Sequence, residues 1–293
     1  MRIATSLNVF GNRFPAASHL GRLAAAGFDG IDFNFADLLT QLDWHHERTA
    51  DAFVDQLGRA AGNADLAWVQ AHGPMFQMFG AEDPHPQRRA LCEPALRACG
   101  RLGVPWMVLH PDVFPGAYDA THRKEVLKRN VEFFRGLLPA CERYGVGLAL
   151  ENIFDSAAEK RGCPRYFAAV PDELCELIDT IKHPLVGACW DTGHARLMQL
   201  DQRAALRALG ARLKVTHFHE NDGLGDDHQF PFSFGKQGVD WNAVLDGLKE
   251  AGFEGAWTFE LGKPFQSVPE PLFDTMLKYV VAQGRYFTKL LAE

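Results

Sequence analysis

The sequence has little of what marks a membrane-bound, secreted or duplex-binding protein. None of its apolar stretches reaches the length of a transmembrane helix without polar interruption, and its first residues, MRIATSLNVFGNR, are typical of a strand and not of a signal peptide. Basic residues are not in excess, since the net charge is -7 over 293 residues, whereas duplex-binding proteins usually carry a basic face. We therefore predict no membrane partner. The charge disfavours nucleic acid but leaves room for a local basic patch.

Paired cysteines and the common nucleotide and nucleophile motifs are also missing. The six cysteines are Cys92, Cys99, Cys141, Cys163, Cys175 and Cys189. None forms a C-x-x-C pair, so we expect free thiols in a reducing compartment, which predicts the cytoplasm. The segment SLNVFGN after the first predicted strand is not G-x-G-x-x-G, and neither a P-loop nor G-x-S-x-G occurs. These absences argue against a dinucleotide-binding turn and against the common nucleophile motifs.

What the chain does contain is a regular alternation of short apolar runs and longer amphipathic stretches. The predicted strands are Arg2–Leu7, Gly30–Phe33, Leu66–His72, Pro105–His110, Val146–Glu151, Val186–Asp191, Leu213–His219 and Ala256–Glu260. Helical patterns such as RKEVLKRNVEFFRGLLPACERYG lie between them, and several end in a glycine that suits a helix C-terminus. Eight strand–helix units predict an α/β fold, a (β/α)8 TIM barrel, with residues 1–293 as a single domain. A doubly wound open sheet is the structural alternative.

Six consecutive predicted strands end in a residue of metal-ligand type. These residues are His72, His110, Glu151, Asp191, His219 and Glu260. In a barrel the carboxyl ends of the strands converge on one mouth, where the active sites of this fold lie. The pattern therefore predicts a metal centre at that mouth.

The residue types narrow the choice of ion. The four principal candidate ligands are Glu151, Asp191, His219 and Glu260. Their three carboxylates and one imidazole suit Mn²⁺, Mg²⁺ or Zn²⁺. Additional candidate ligands are His72, His110, His194, Asp226 and His228. This nitrogen-rich half favours Zn²⁺ and leaves room for more than one zinc ion. His217 shares the strand parity of His219, so we place it one layer deeper, behind the ligands or on the substrate side.

Each candidate also has an ordinary structural interpretation. His72 and His110 suit hydrogen-bonded histidines beside a pocket equally well. Glu151 with Asn152, and Asp191 with Thr192, are alternatively helix-capping pairs. Asp226 and His228 lie in a glycine-containing loop, where solvated polar side chains are common. The histidines predicted to lie at the surface are His19, His45, His46, His85, His122 and His183.

Motifs along essentially the whole chain resemble those of the xylose isomerase-like (AP endonuclease family 2) TIM barrel superfamily. They are HGP at 72–74, LGVPWMVLHP at 102–111, YGVGLALEN at 144–152, DTGH at 191–194, HEND at 219–222, DDH at 226–228 and FEL at 259–261. That superfamily includes sugar and sugar-phosphate isomerases and epimerases, inosose dehydratase-like lyases, and endonuclease IV.

For the sugar isomerase and epimerase branch, the resemblance implies one divalent ion and a sugar or polyol substrate. The ion is held by residues that match Glu151, Asp191, His219 and Glu260. Glu151 and Glu260 resemble the pair that transfers protons through an enediolate, and His194 and His217 are candidates for moving protons between oxygens. Endonuclease IV holds three zinc ions, and all nine candidate ligands find a match in its set. A phosphodiesterase and a lyase therefore remain the alternatives.

Three features favour the sugar branch. The charge balance is acidic, and the loop NFADLLTQLDWHHERTAD is not rich in Arg or Lys. The segment QFPFSFGKQGVDW resembles PG-x-G-x-idW of the isomerase-like branch. Candidate walls of a sugar pocket are Phe154, Trp190, Phe230, Phe232 and Phe234. The sequence leaves the oligomeric state open, with a homo-oligomer as one expectation.

Overall fold

Eight short strands alternate with helices along the chain, and all strand pairs are parallel. The computed structural model describes residues 1–11, 16–35, 42–76, 86–112, 119–155 and 166–293. The strands are β1 Ile3–Ser6, β2 Gly30–Asn34, β3 Ala67–His72, β4 Trp106–Leu109, β5 Gly147–Glu151, β6 Val186–Asp191, β7 Leu213–His217 and β8 Trp257–Phe259.

Helices cover the outside of the sheet. Those within the described residues are α1 Ala16–Ala26, α2 Glu47–Asn63, α3 Cys92–Leu102, α4 Ala120–Tyr144, α5 Pro171–Ile181, α6 Thr192–Leu197, α7 Gln202–Leu209, α8 Trp241–Ala251, α9 Gly262–Gln266 and α10 Glu270–Ala292. Gly103 and Gly145 end α3 and α4 with φ of 73° and 69°. This left-handed conformation disfavours residues that carry a Cβ, and it confirms the predicted glycine stops.

The sheet closes into a barrel. Its strand order runs from β7 down to β1 and then to β8. Beyond β7, Phe218 forms a parallel bridge with Phe259, and its amide donates to the Thr258 carbonyl at 2.8 Å. The predicted (β/α)8 barrel is confirmed. The doubly wound alternative is wrong, because an open sheet would leave both edge strands unpaired.

Alternation along the strands separates an outer core from the barrel interior. On β2, Ile31 and Phe33 belong to the large apolar core that the helices cover, whereas Asp32 between them has the opposite parity. A separate small apolar cluster is formed by Val108, Ala149, Cys189 and Val215. The last three precede Glu151, Asp191 and His217 by two residues each, so an apolar layer lies beneath the polar mouth.

Three of the six strands that were predicted to end in a ligand-type residue end before it. β4 ends at Leu109, β7 at His217 and β8 at Phe259, so the ligand-type residues His110, His219 and Glu260 lie one or two positions beyond the strands. The pairing of β3 with β4 explains why β4 ends at Leu109. His72, the last residue of β3, pairs with Val108, so β4 residues beyond this point have almost no β3 residue opposite them.

The remaining expectations about thiols and surface histidines have mixed outcomes. Free thiols are confirmed for Cys92, Cys99, Cys141, Cys175 and Cys189. Cys163, His85 and residues 36–41 of the loop NFADLLTQLDWHHERTAD lie outside the described residues. His19 was wrongly placed at the surface: it is buried, and its ring stacks on Phe10 with 4.1 Å between centroids. Within the described ranges, no helix has the length and apolar character to cross a membrane.

Candidate metal centre

The carboxyl ends of the strands bring every predicted site residue into one connected group, the mouth cluster. It contains four carboxylates and six imidazoles. Its members are His72, His110, Glu151, Asp191, His194, His217, His219, Asp226, His228 and Glu260. Asp191, His217 and His219 have no exposed surface, and Glu151 is 1 % exposed. Such a density of buried ionisable groups is typical of a functional site and not of a structural core.

Glu151, the last residue of β5, lies at the centre of the cluster. Its Oε2 is 3.1 Å from His110 Nε2 and 3.7 Å from His72 Nε2, and these two ring nitrogens are 3.3 Å apart. The helix-capping interpretation of Glu151 with Asn152 is wrong, because the Asn152 amide binds the backbone of Asp191 on the next strand. Two imidazoles and a carboxylate oxygen therefore face one another above β3, β4 and β5.

Asp191, the last residue of β6, uses its two oxygens differently. Oδ1 accepts a hydrogen bond from the His194 amide at 2.6 Å and caps α6, while Oδ2 lies 2.8 Å from His219 Nε2. The cap and the candidate ligand are thus the same side chain. Gly193 allows this approach, since a Cβ there would overlap the His219 ring.

His217 connects the two glutamates. Its Nδ1 is 3.1 Å from Glu151 Oε1 and 3.4 Å from Glu260 Oε2. Its Nε2 is 3.3 Å from Asp32 Oδ2. Asp32 was missed in the sequence, although the alternation in GIDFNF, with Ile31 and Phe33 on the apolar face, is a signal that could have found it.

Asp226 and His228, in the loop after β7, face the cluster and not solvent. Asp226 Oδ2 is 2.9 Å from His228 Nε2 and 3.7 Å from His194 Nε2. The His228 ring stacks on His219 with centroids 3.9 Å apart, and its Nδ1 lies 3.0 Å from the Glu260 carbonyl oxygen. The interpretation of this pair as a solvated turn is therefore wrong.

Glu220 anchors the loop after β7, and the sequence analysis gave it no role. Its buried carboxylate accepts hydrogen bonds from the amides of Phe232 at 2.6 Å and Phe234 at 3.2 Å and from Trp241 Nε1 at 3.1 Å. Its backbone forms an antiparallel bridge with Gln229. The signal was its parity, opposite to that of the two inward histidines, which places an acidic side chain among apolar neighbours where it needs donors.

The spacing of these donors suits a metal ion. The described part of the chain contains four overlapping groups, and within each group the ligand atoms all lie within 4.8 Å of one another. They are Glu151–Asp191–His217–Glu260, His72–His110–Glu151, Glu151–Cys189–His217 and His219–His228–Glu260. Zinc bonds to nitrogen and oxygen of about 2.0–2.2 Å in tetrahedral geometry place neighbouring ligand atoms about 3.3–3.6 Å apart, so a modest shift would close these groups on an ion.

Two buried polar atoms without a hydrogen-bond partner also suit a bound metal ion. His219 Nδ1 and Asp226 Oδ1 are buried and have no hydrogen-bond partner within the described part of the chain. Buried polar atoms are normally satisfied, so both are available to a bound ion or water. The four-residue group contains His217 where the sequence predicted His219, and His219 groups instead with His228 and Glu260. Which histidine binds the principal ion therefore stays a prediction.

The charges of the buried carboxylates are maintained by the surrounding imidazoles. Burial opposes ionisation of Glu151, but the facing His217 and His110 outweigh it and hold the pKa of Glu151 well below its usual range. The pKa of Glu260 is lowered in the same way, against burial, by His217 and His228. Both glutamates are therefore present as carboxylates, the form that binds cations and accepts protons.

The imidazoles of the mouth cluster differ in the direction in which their pKa is shifted. Burial opposes a charged His194, yet Asp191 and Asp226 raise its pKa to about 10. His228, beside Glu260 and Asp226, has its pKa raised against burial to about 9. By contrast, burial and the neighbouring His110 lower the pKa of His72. Neutral His72 is thus ready to bind a metal, whereas His194 and His228 must first lose protons.

The predicted aromatic walls are mostly wrong. Trp190 is buried outside the barrel, where its Nε1 donates to Gln202 Oε1 at 3.2 Å, because alternation turns it away from Asp191. Phe230 packs against Phe265 and Tyr279, and Phe232 stacks on Phe287, since the loop after β7 folds back onto α10. Phe154 does lie beside the cluster, with its ring centroid 4.8 Å from that of His194.

Residues 20–275 match the model of a family described as xylose isomerase-like TIM barrel. The chain belongs to this family. The resemblance inferred from the sequence motifs is therefore confirmed, and it extends over most of this xylose isomerase-like barrel.

Similar proteins are found both by sequence and by structure. Inosose isomerase of Bacillus subtilis is 25% identical over 205 residues, which are 66% of this chain and 68% of that protein. The chain spans between about half and two thirds of the length of the curated relatives it matches.

Two crystal structures share the fold over nearly the whole chain. The IOLI protein with a bound zinc atom has a TM-score of 0.74 at 19% identity, and the match covers 99% of this chain and 98% of that one. D-psicose 3-epimerase from Clostridium cellulolyticum H10, in complex with D-tagatose, has a TM-score of 0.71 at 16% identity, with coverages of 98% and 99%. At these identities the likeness shows a shared fold.

Proposed function

We propose that this protein is a divalent-metal-dependent isomerase or epimerase of a sugar or polyol, acting by proton transfer next to a carbonyl. The observation that carries the proposal is the convergence of Glu151 and Glu260 on one nitrogen, His217 Nδ1, within a buried group that also contains Asp191. The inosose isomerases and the D-psicose 3-epimerase among the similar proteins support this class of reaction.

The residues that would hold the ion are Glu151, Asp191, Glu260 and one imidazole, from His219 or His217. The bound ion supplies positive charge that favours loss of a proton beside a carbonyl. In this proposal Glu151 or Glu260 removes that proton as a carboxylate and becomes protonated. The other glutamate takes a proton from His217, whose raised pKa keeps it protonated and whose Nδ1 contacts both carboxylates, and delivers it to the substrate; His217 then recovers a proton from the first glutamate. Both have a lowered pKa, so both begin as bases.

The neighbouring histidines suit the transfer of protons between substrate oxygens. His194, whose Nδ1 lies 2.8 Å from the Asn152 carbonyl oxygen, presents its Nε2 toward Asp226. Phe154 covers the side of this imidazole and would exclude water from the substrate. His217 is the other proton carrier in this proposal, because it already contacts both glutamates.

The test is exchange of substrate protons with solvent. The Mn²⁺-loaded protein is incubated in D₂O with a panel of ketoses, ketose phosphates and inososes, and deuterium incorporation is followed by NMR. Deuterium is expected at the carbon next to the carbonyl, with a loss of about 10²–10⁴-fold in Glu151→Gln and Glu260→Gln. Glu254→Gln, an exposed glutamate just before β8, is the matched control and keeps full exchange. Full exchange in E151Q and E260Q, assayed in excess Mn²⁺, would overturn the roles proposed here.

A second candidate, a phosphodiesterase with several zinc ions, is favoured by one specific observation. Beside the principal group, His72 and His110 face Glu151 as a separate donor set, and Asp226 joins His194 and His228. Two or three ions in such positions would activate a water for attack on phosphorus. This candidate predicts about three Zn²⁺ per chain and incision of a duplex that contains an abasic site. One ion per chain and no incision would eliminate it.

A further inference from the structure

Asp32 is a buried carboxylate with few polar contacts. It lies in the middle of β2 with no exposed surface, and neither carboxylate oxygen makes a hydrogen bond within the described residues. Among those residues its single ion-pair partner is His217, whose Nε2 lies 3.3 Å from Oδ2. Because a buried carboxylate with a single ion-pair partner is costly, its presence here calls for a function.

The ring of His217 is held between this carboxylate and the candidate active site. Its second nitrogen, Nδ1, faces Glu151 Oε1 at 3.1 Å and Glu260 Oε2 at 3.4 Å. The ring also lies parallel to that of His72, with 5.6 Å between centroids and 8° between planes. The imidazole thus has one edge on Asp32 and the opposite edge on both glutamates.

The contacts that connect Asp32 to the two glutamates all pass through the side chain of His217, which can rotate. If the contact with Asp32 is lost, the remaining polar contacts of the His217 ring within the described ranges are those with the two glutamates and with Cys189 Sγ at 3.7 Å. A carboxylate behind an imidazole is the arrangement that fixes the orientation of histidines at metal and catalytic centres. The same arrangement occurs here across the barrel, from β2 to β7.

We propose that Asp32 is a positioning residue: it fixes the ring of His217, and His217 in turn fixes Glu151 and Glu260 relative to each other. This inference rests on the proposed function for the importance of the two glutamates, but not for the contact itself. It adds a residue on β2, a strand that contributes none of the predicted ligands.

A double-mutant cycle tests whether Asp32 acts through His217. Zn²⁺ affinity is measured by chelator competition for the wild type, Asp32→Asn, His217→Gln and the double variant. Each single variant is expected to weaken Zn²⁺ binding about 10–100-fold. The double variant should be no weaker than His217→Gln alone, because both changes break the same chain of contacts. Additive losses, or unchanged affinity in Asp32→Asn, would overturn the proposal.

A spectroscopic readout on the metal-free protein makes the test independent of the proposed function. With ¹⁵N-labelled histidine, Asp32→Asn should shift both ring nitrogen signals of His217. Asp29→Asn is the control. Asp29 lies just before β2 and binds Ile3 and Arg285 outside the mouth cluster, so its replacement should leave the His217 signals in place. Unchanged His217 signals in Asp32→Asn would contradict the positioning role. If Asp32→Asn does not fold, Asp32→Ser replaces it in both measurements.

The two possible failures are distinguishable. If the wild type binds Zn²⁺ and Glu151→Gln abolishes binding while the cycle is additive, the metal site stands and the role of Asp32 falls. If Glu151→Gln does not alter Zn²⁺ binding but Asp32→Asn shifts the His217 signals, the proposed function falls and the positioning contact stands.

Discussion

Gly238 lies against the carboxylate of Glu220 so closely that a Cβ at position 238 would overlap Glu220 Oε1. The carboxylate in turn accepts hydrogen bonds from two amides of the loop after β7 and from the Trp241 indole. Gly238 therefore makes room for the side chain that holds this loop, and the loop carries Asp226 and His228 to the mouth cluster.

Gly238→Ala should displace Glu220 and leave its donors unsatisfied. We expect a loss of about 1–3 kcal/mol in the free energy of unfolding, the usual cost of unpaired buried polar groups. Urea unfolding of the 293-residue chain measures this loss. Gly225→Ala is the control in the same loop, since the nearest atom to its Cβ would be 3.6 Å away, an ordinary contact. Equal stability of G238A and wild type would show that Glu220 does not anchor the loop.

Gly193→Ala should weaken metal binding by pushing the His219 ring away from Asp191. A Cβ at position 193 would overlap that ring, whose Nε2 lies 2.8 Å from Asp191 Oδ2. If His219 is the imidazole ligand, Zn²⁺ affinity falls about tenfold or more in a chelator competition. Gly136→Ala on α4, where a Cβ would meet nothing within 4 Å, should bind Zn²⁺ like the wild type. Wild-type affinity in G193A would favour His217 as the ligand.

The metal-free protein should become less stable as the pH rises through the alkaline range. The folded pKa values of His194 and His228 are raised to about 10 and about 9, from 6.5. A raised folded pKa means that the native state binds more protons, so this stabilisation is complete below pH 6.5 and is lost between about pH 6.5 and 10.

We expect the free energy of unfolding to fall by about 2–4 kcal/mol over that interval. This is less than the simple sum of the two pKa shifts, because both histidines share Asp226. Urea unfolding of the chelator-treated protein at pH 6.5, 8 and 10 measures the change. His194→Gln should flatten the pH dependence. A free energy of unfolding that does not fall in the wild type would show that these histidines are not protonated in the folded state.

The strand pattern predicted the position of the mouth cluster because it depends only on local order. Each ligand-type residue follows an apolar run, and the topology of the barrel then gathers the ends. The relative depth of His217 and His219 was harder to predict, since both have the same parity. Which of them meets Glu151 depends on how β7 closes against β8, and that closure is a long-range property.

The sequence pattern also could not predict contacts between residues that are distant in the chain. The partner of Asp32 is on β7, and the donors to Glu220 come from a loop that has no regular strand or helix pattern before Trp241. The aromatic residues failed as predictors for a similar reason: Phe232 and Phe230 pack against α10, and only the folded loop brings them there.

Zinc content is the most direct measurement of the central claim, that the mouth cluster binds a divalent ion through Glu151. The chelator-treated protein is dialysed against Zn²⁺ and then against metal-free buffer, and the retained metal is counted by mass spectrometry. The wild type and Glu254→Gln should each retain at least about one ion per chain, and Glu151→Gln should retain none. Retention in E151Q equal to that of the wild type, or no retention in any of the three proteins, would contradict the claim.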